Sequence, residues 1–328
     1  ILEQEEVILK GSRRMHERPI YPLVNCLKLI GADIIYLEKD GCPPIKIRGK
    51  QLKSKKVEIS SNVSSQFISA MLLISPKLKG GLVIELKGEL ISKPYIEMTL
   101  HLLNNLGVKT NIKSNLISVD YLEQIQETNI TVESDWSSAS YWYSIVALCE
   151  RSEVKLNNFY KNSIQGDSIL IKYFEALGVE TKFIENKIVL TKIKDFSYPK
   201  NLNLNLIDSP DLAQTIAVTC FGLGVSCYLY GLQTLNIKET KRLIALKNEL
   251  TKLGANLDIT ESTLKLYKTR EIKKNITINT YQDHRMAMSF APLSIKVPIF
   301  IENPNVVVKS YPKFWDDLKK AGFTIEKT

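Results

Sequence analysis

RLIALKNELTKLGANLDI, residues 242–259, decides the fold. Leu243, Leu246, Leu250 and Leu253 recur at spacings of three and four, which lays one apolar stripe along a helix. Gly254 follows where a helix ends and a positive φ is wanted. The chain then turns into a strand.

The same unit recurs four more times: PLVNCLKLIGADIIYL (22–37), YIEMTLHLLNNLGVKTNI (95–112), SILIKYFEALGVETKFI (168–184) and the shorter PKFWDDLKKAGFTI (312–325). The glycines Gly31, Gly107, Gly178, Gly254 and Gly322 are spaced by 76, 71, 76 and 68 residues. A second helix falls in each interval: SSQFISAMLLI (64–74), SSASYWYSIVAL (137–148), DLAQTIAVTC (211–220) and DHRMAMSFAPLSI (283–295). Each opens on Ser or Asp at a plausible N-cap. A period near 70 is longer than the usual solenoid repeats and accommodates βαβαββ. The sequence therefore predicts an α/β chain of repeated units in two domains, 1–134 and 135–328. The boundary is expected between a strand TNITVES (128–134) and the helix from Ser137.

Length and composition agree. At ~150 residues per domain, 328 residues make about two. With 44% hydrophobic and 24% charged residues, the chain is not disordered, collagen-like or a disulfide scaffold. The net charge of +9 attracts anions without choosing among nucleic acid, membrane and phosphorylated metabolite. Five scattered cysteines without a CxxC pair point to a reducing compartment and away from zinc. No compact metal-ligand cluster, GxGxxG or GxxxxGK[ST] occurs, so neither metal nor nucleotide cofactor is expected. Residues 212–237 carry no formal charge, and their polar residues and Gly-Leu-Gly break predict a buried helix and strand, not a membrane span. No basic leader precedes an apolar N-terminal segment. Residue 1 is Ile, and ILEQEEVILKGS reads as a helix tail and then a strand, so a longer parent is expected.

Polar residues gather at the helix starts. Ser64 caps a helix, or joins Ser65 in binding an anion at its free N–H groups; Ser92, before Lys93 and Pro94, caps or reaches the same anion. Asp211 is a cap or a general base. Lys238 and Arg242 share a face if helix already runs there, with Glu239 between them. His284 in a first turn feels a positive dipole, stays neutral and can exchange a proton. Arg18, Lys238, Arg242, Arg285 and Lys309 all lie at strand-to-helix junctions, which in α/β sheets form a ligand-binding rim. Five cations there indicate a small polyanion. Asp211, Glu239 and His284 supply acid–base candidates.

Eight segments together resemble the EPSP synthase (3-phosphoshikimate 1-carboxyvinyltransferase) family and occur in its order. They are SSNVSSQFISAMLL (60–73), GELISKPYIEMTLHLLNNLGV (88–108), ESDWSSASYWY (133–143), GDS (166–168), DSPDLAQTIAV (208–218), LNIKETKRLIALKNELTKLGA (235–255), YQDHRMAMSFAPL (281–293) and NPNVVVKSYPKFWDDL (303–318). The resemblance implies two inside-out α/β barrel domains of βαβαββ units, the first incomplete here. It implies transfer of the enolpyruvyl group of phosphoenolpyruvate to the 5-hydroxyl of shikimate 3-phosphate by addition and elimination, releasing phosphate on the route to chorismate. No cofactor is implied. The substrates are small anions, and a cytoplasmic monomer without nucleic-acid or membrane partners is expected.

Carried over residue by residue, the resemblance gives Ser64, Ser65, Ser92 and Lys238 to the shikimate phosphate, and Gln66, Tyr95 and Thr234 to the shikimate site. Asp211 takes the 5-hydroxyl proton and Glu239 moves a proton at the methylene carbon. Arg18, Gln66, Arg242, Arg285 and Lys309 surround phosphoenolpyruvate, with His284 beside them and Lys309 also counted as catalytic. Lys241 stands where the common KETDR has Asp, and Thr234 where some members have Asn. The family's opening Lys-Ser pair with Arg and its Asn-Ala-Gly-Thr-Ala-Met-Arg segment have no counterpart, roughly a quarter of the family length. This stretch alone is therefore expected to be inactive or nearly so. The alternatives weighed are UDP-N-acetylglucosamine enolpyruvyltransferase, which SSQF and SKPY disfavour, a non-catalytic relative, and a nucleic-acid binder, which no interleaving of basic and aromatic residues supports.

Overall fold

The computed structural model describes residues 5–53, 55–60, 64–88, 90–269 and 271–327. Residues 61–63 of the first motif and Glu89 of the second lie outside them. The chain divides into two compact units, Ile1–Thr131 and Val132–Thr328.

The first unit runs β1 (Glu6–Leu9), α1 (Arg13–Glu17), α2 (Tyr21–Leu29), β2 (Asp33–Tyr36), β3 (Ile45–Arg48), β4 (Lys56–Ser60), α3 (Ser65–Ile74), β5 (Leu82–Lys87), α4 (Lys93–Asn105), β6 (Thr110–Lys113) and β7 (Leu116–Val119). Strands β4 and β5 are parallel, β7 pairs antiparallel with β5, and β6 with β7. Strands β1 and β2 flank β3 antiparallel. Ile68, Met71 and Leu72 of α3 and Ile96, Leu100 and Leu103 of α4 pack with Ile84 and Ile117 in one core.

The second unit runs α5 (Trp136–Leu148), β8 (Glu153–Asn157), α6 (Leu170–Glu175), β9 (Val179–Ile184), β10 (Lys187–Lys192), β11 (Asn201–Asn205), α7 (Ala213–Leu223), β12 (Ser226–Tyr230), α8 (Arg242–Lys252), β13 (Leu257–Ile259), β14 (Thr263–Leu266), β15 (Ile276–Ile278), α9 (His284–Phe290), β16 (Ile299–Ile301) and α10 (Phe314–Lys320). Its four-stranded sheet repeats the pattern of the first unit: β11 parallel to β12, β14 antiparallel to β12, β13 to β14. Strands β8 and β9 flank β10, and β15 runs parallel to β16. The described residues thus form two complete βαβαββ units, β4–β7 and β11–β14. The five glycines ending the repeat all have positive φ, from 80° at Gly178 to 104° at Gly31.

The expectation of closed barrels is overturned. The described strands form five separate open sheets of two to four strands, each with free edges, and none returns to bond its first strand. So few strands cannot curl into a ring, which takes roughly eight for a side-chain-filled interior. The expected strand at residues 128–134 is also absent. Its end is hooked onto the end of β8 instead: Ser134 N–H and Oγ donate to the carbonyls of Asn158 and Asn157, at 2.9 and 3.0 Å. Val132 is 80% exposed and so buries no face that would fix a register.

Three helices of the second unit are apolar nearly all round. Every residue of α5 except Ser138 is buried, and α7 and α9 are buried almost as fully. Small hydroxyls form a seam among them. Ser140 lies 3.1 Å from Thr215, Thr215 lies 3.3 Å from Ser289, and Thr219 donates to Ser144 at 2.7 Å. This seam satisfies its own five hydroxyls and ties the three helices near their starts. Among the described residues, no helix is long and apolar enough to cross a membrane.

Candidate active site

Of the expected caps, Ser64 and Asp283 hold their helices, whereas Ser137 and Asp211 do not. Asp135 caps α5, accepting from Ser137 and Ser138 N–H at 3.1 Å each, so the Ser137 hydroxyl is released inward. Asp283 caps α9 through Arg285 N–H at 2.9 Å. Asp211 does not cap α7; it sits in the 3-10 turn Pro210–Leu212 just before it. Helix α8 starts only at Arg242, so Lys238 and Glu239 lie on the preceding loop and share no helix face with it.

These starts converge on Arg242, which is 1% exposed. Its Nε donates to Asp283 at 2.7 Å, one terminal nitrogen to Asp211 at 2.7 Å and the other to Glu239 at 2.6 Å. Arg285 donates to Asp211 Oδ2 at 3.1 Å and to the Ser137 hydroxyl at 3.3 Å. Lys238 Nζ stands 3.4 Å from Asp211, and Lys309 Nζ bonds Glu239 at 2.6 Å. Lys309 is half exposed, whereas Asp211 and Glu239 are nearly covered. Asp211, Lys238, Glu239, Arg242, Arg285 and Lys309 therefore form one charge network at the helix starts of a single unit.

The network sets the protonation states. Burial alone would raise the proton affinity of Asp211, but Arg285, Lys238 and Arg242 outweigh it and hold its carboxyl well below the usual range. Glu239 follows the same balance: burial raises it, and Arg242 and Lys309 carry it far lower. His284 is pushed down to about 4, first by burial and then by Arg285, so its imidazole is neutral at pH 7. Among the described residues, its buried Nδ1 has no hydrogen-bond partner and lies 3.8 Å from Asp283. Thr234, buried just before Lys238, likewise has an unpartnered hydroxyl.

The first unit holds the other expected residues. Ser64 caps α3 through Gln66 N–H at 3.3 Å. Ser92, at φ 57°, precedes α4 without a side-chain cap bond, and its segment carries Pro94 and Tyr95 into the first turn. Ser69 and Thr99, 2.9 Å apart, tie α3 to α4 one turn beyond these starts. Arg18 ends α1 and leads into α2, a helix-to-helix junction and not the expected strand-to-helix one.

Sequence reasoning gave no site role to Asp283, Ser137 or Asp167. For Asp283 the signal was its place one residue before the His-Arg pair. Ser137 was read only as a cap. Asp167 lay in the GDS motif, where nothing local reveals burial. Among the described residues, no His/Cys/Asp/Glu group could hold a metal ion.

Cations and ionised carboxylates interleaved at the starts of buried helices define an α/β protein built to receive small anions and handle protons beside them. The sequence profile of EPSP synthase (3-phosphoshikimate 1-carboxyvinyltransferase) matches residues 1–318. The 3-phosphoshikimate 1-carboxyvinyltransferase of Bacteroides fragilis is 44% identical over 322 residues, covering 97% of this chain and 78% of the relative. That of Vibrio atlanticus is 36% identical over 327 residues, covering 97% and 74%. The solved EPSP synthase of Acinetobacter baumannii shares the fold, with a TM-score of 0.76 and 24% identity over 99% of this chain and 75% of its own. The chain belongs to the EPSP synthase family.

Proposed function

We propose that the charge network of residues 132–328 is the proton-transfer and anion-binding site of the family's reaction. The chain is a 3-phosphoshikimate 1-carboxyvinyltransferase, which moves the enolpyruvyl group of phosphoenolpyruvate to shikimate 3-phosphate. The observation that carries the residue roles is Arg242, whose three nitrogens hold Asp211, Glu239 and Asp283 in one frame. Two carboxylates destined for different protons are thereby fixed relative to each other.

Lys238, Arg285 and Lys309 are paired with these carboxylates, which keeps them ionised and weakly basic. Incoming phosphate and carboxylate groups compete for the same cations. As Lys309 and Arg285 turn to phosphoenolpyruvate and Lys238 to the shikimate phosphate, the field on Asp211 and Glu239 falls and their proton affinity rises. Asp211 then takes the proton of the 5-hydroxyl while that hydroxyl's oxygen bonds C2 of phosphoenolpyruvate. Glu239, having gained a proton, delivers it to C3. The resulting tetrahedral adduct loses phosphate as the C2–O bond breaks, and Glu239 recovers a proton from the methyl group. Once turned to the substrates, these cations stabilise the anionic adduct without moving further, and neutral His284 stands beside Arg285 without adding charge. In the first unit, the paired helix starts offer the hydroxyls of Ser64, Ser65 and Ser92 to a phosphate.

The same reading has the enzyme acting as a monomer on small anions, not on nucleic acid. Five cysteines, all free thiols, support a reducing cytoplasm. The test is acceptor choice in the full-length protein. Phosphoenolpyruvate-dependent phosphate release is expected with shikimate 3-phosphate and not with UDP-N-acetylglucosamine; the reverse preference contradicts the reading.

A further inference from the structure

Asp167 lies in the 3-10 turn Gly166–Ile169 and is 4% exposed. A carboxylate so covered is costly unless hydrogen-bonded. Its Oδ2 accepts a short bond from the Ser137 hydroxyl. Having donated that proton, the Ser137 oxygen presents its lone pairs elsewhere, and one terminal nitrogen of Arg285 donates to it at 3.3 Å. The same nitrogen donates to Asp211 at 3.1 Å. Asp167 attracts Arg285 directly through space, and the Ser137 hydroxyl links the two by hydrogen bonds.

We propose that Asp167 is a positioning residue for the phosphoenolpyruvate-binding arginine: by accepting the Ser137 proton it fixes the Ser137 oxygen as an acceptor and aims Arg285. This rests on the role given to Arg285 above. Without the carboxylate the hydroxyl is free to rotate and present its proton to the guanidinium, which repels. Arg285 then loses one of the acceptors that set its plane. Burial, reinforced by the neighbouring Asp211, also raises the Asp167 carboxyl to about 6, which fits a group held by geometry rather than by solvent.

The experiment is steady-state kinetics of the full-length enzyme with each substrate varied. It compares Asp167→Leu, Asp167→Asn, Ser137→Ala and the Leu/Ala double variant. Asp167→Leu and Ser137→Ala should each raise KM for phosphoenolpyruvate roughly tenfold while leaving KM for shikimate 3-phosphate within about twofold. The double variant should fall well short of the two single losses combined, because both act on the same hydroxyl. Asp167→Asn, which keeps an oxygen for Ser137, should recover most of the loss. An unchanged KM for phosphoenolpyruvate, equal rises in both KM values, or additive effects overturn the proposal. If Asp167→Leu fails to fold, Ser137→Ala decides alone: an unchanged KM for phosphoenolpyruvate refutes the relay. A wild-type enzyme without turnover overturns the function itself; turnover with unaffected variants overturns only the role of Asp167.

Discussion

Arg242 is buried, yet all three of its nitrogen groups face carboxylates. Replacing it by Met leaves Asp211, Asp283 and Glu239 facing one another, so equilibrium urea unfolding should show a loss of about 3–5 kcal/mol. Lys309→Ala removes a half-exposed partner of Glu239 and should cost only ~0–1 kcal/mol in the same assay, while raising KM for phosphoenolpyruvate. His284 gives a pH signature. Folded, it takes its proton near pH 4; unfolded, near its ordinary 6.5. Between these values the unfolded chain holds more protons, so stability falls as pH is lowered through that window, by about 3 kcal/mol in all. Asp167, raised to about 6 from 3.8, works in the opposite sense, since the folded form keeps its proton longer. Thermal unfolding from pH 7 to 4 should therefore show a smaller acid-side loss for His284→Asn than for wild type; parallel curves contradict the assigned shift. At this scale the sequence displayed charge type and helix-start position. It did not display burial, so Arg242 read as a substrate clamp when it also holds the frame.

At the scale of single elements, the repeat's glycines separate backbone strain from crowding. Gly107 ends α4 at φ 87° with nothing within 4 Å of where a Cβ would stand. Gly107→Ala should thus cost only the conformational term, about 1 kcal/mol. Gly81, leading into β5 at φ 69°, would place a Cβ 2.3 Å from the Val119 carbonyl of the paired strand. Gly81→Ala should cost clearly more and disturb the β5–β7 ladder, which urea unfolding of the two variants side by side will rank. Asp135→Ala removes a cap with two bonds to α5 and should cost ~1 kcal/mol by the same measurement. Helices and their ends were legible because stripe and stop glycine are local signals. Residues 128–134 misled because β-propensity describes fitness for a half-buried surface, and Val132 and Ile130 find none.

Across the whole molecule, the repeat disclosed the order of strands and helices but not closure. Whether a sheet becomes a barrel depends on its edge strands meeting, a long-range property that no 18-residue window contains. The net charge of +9 is a global property with a simple consequence. Both substrates are polyanions, so KM for each should rise with ionic strength between about 0.05 and 0.5 M, more steeply than kcat changes. The account depends most on Asp211 and Glu239 being the two proton-handling groups that Arg242 holds together. The direct measurement is phosphate release by the full-length enzyme at saturating phosphoenolpyruvate and shikimate 3-phosphate, for wild type, Asp211→Asn and Glu239→Gln. The account predicts release only when both substrates are present and a fall in kcat of roughly 10²–10⁴-fold in each variant. Variants that turn over at the wild-type rate would contradict it.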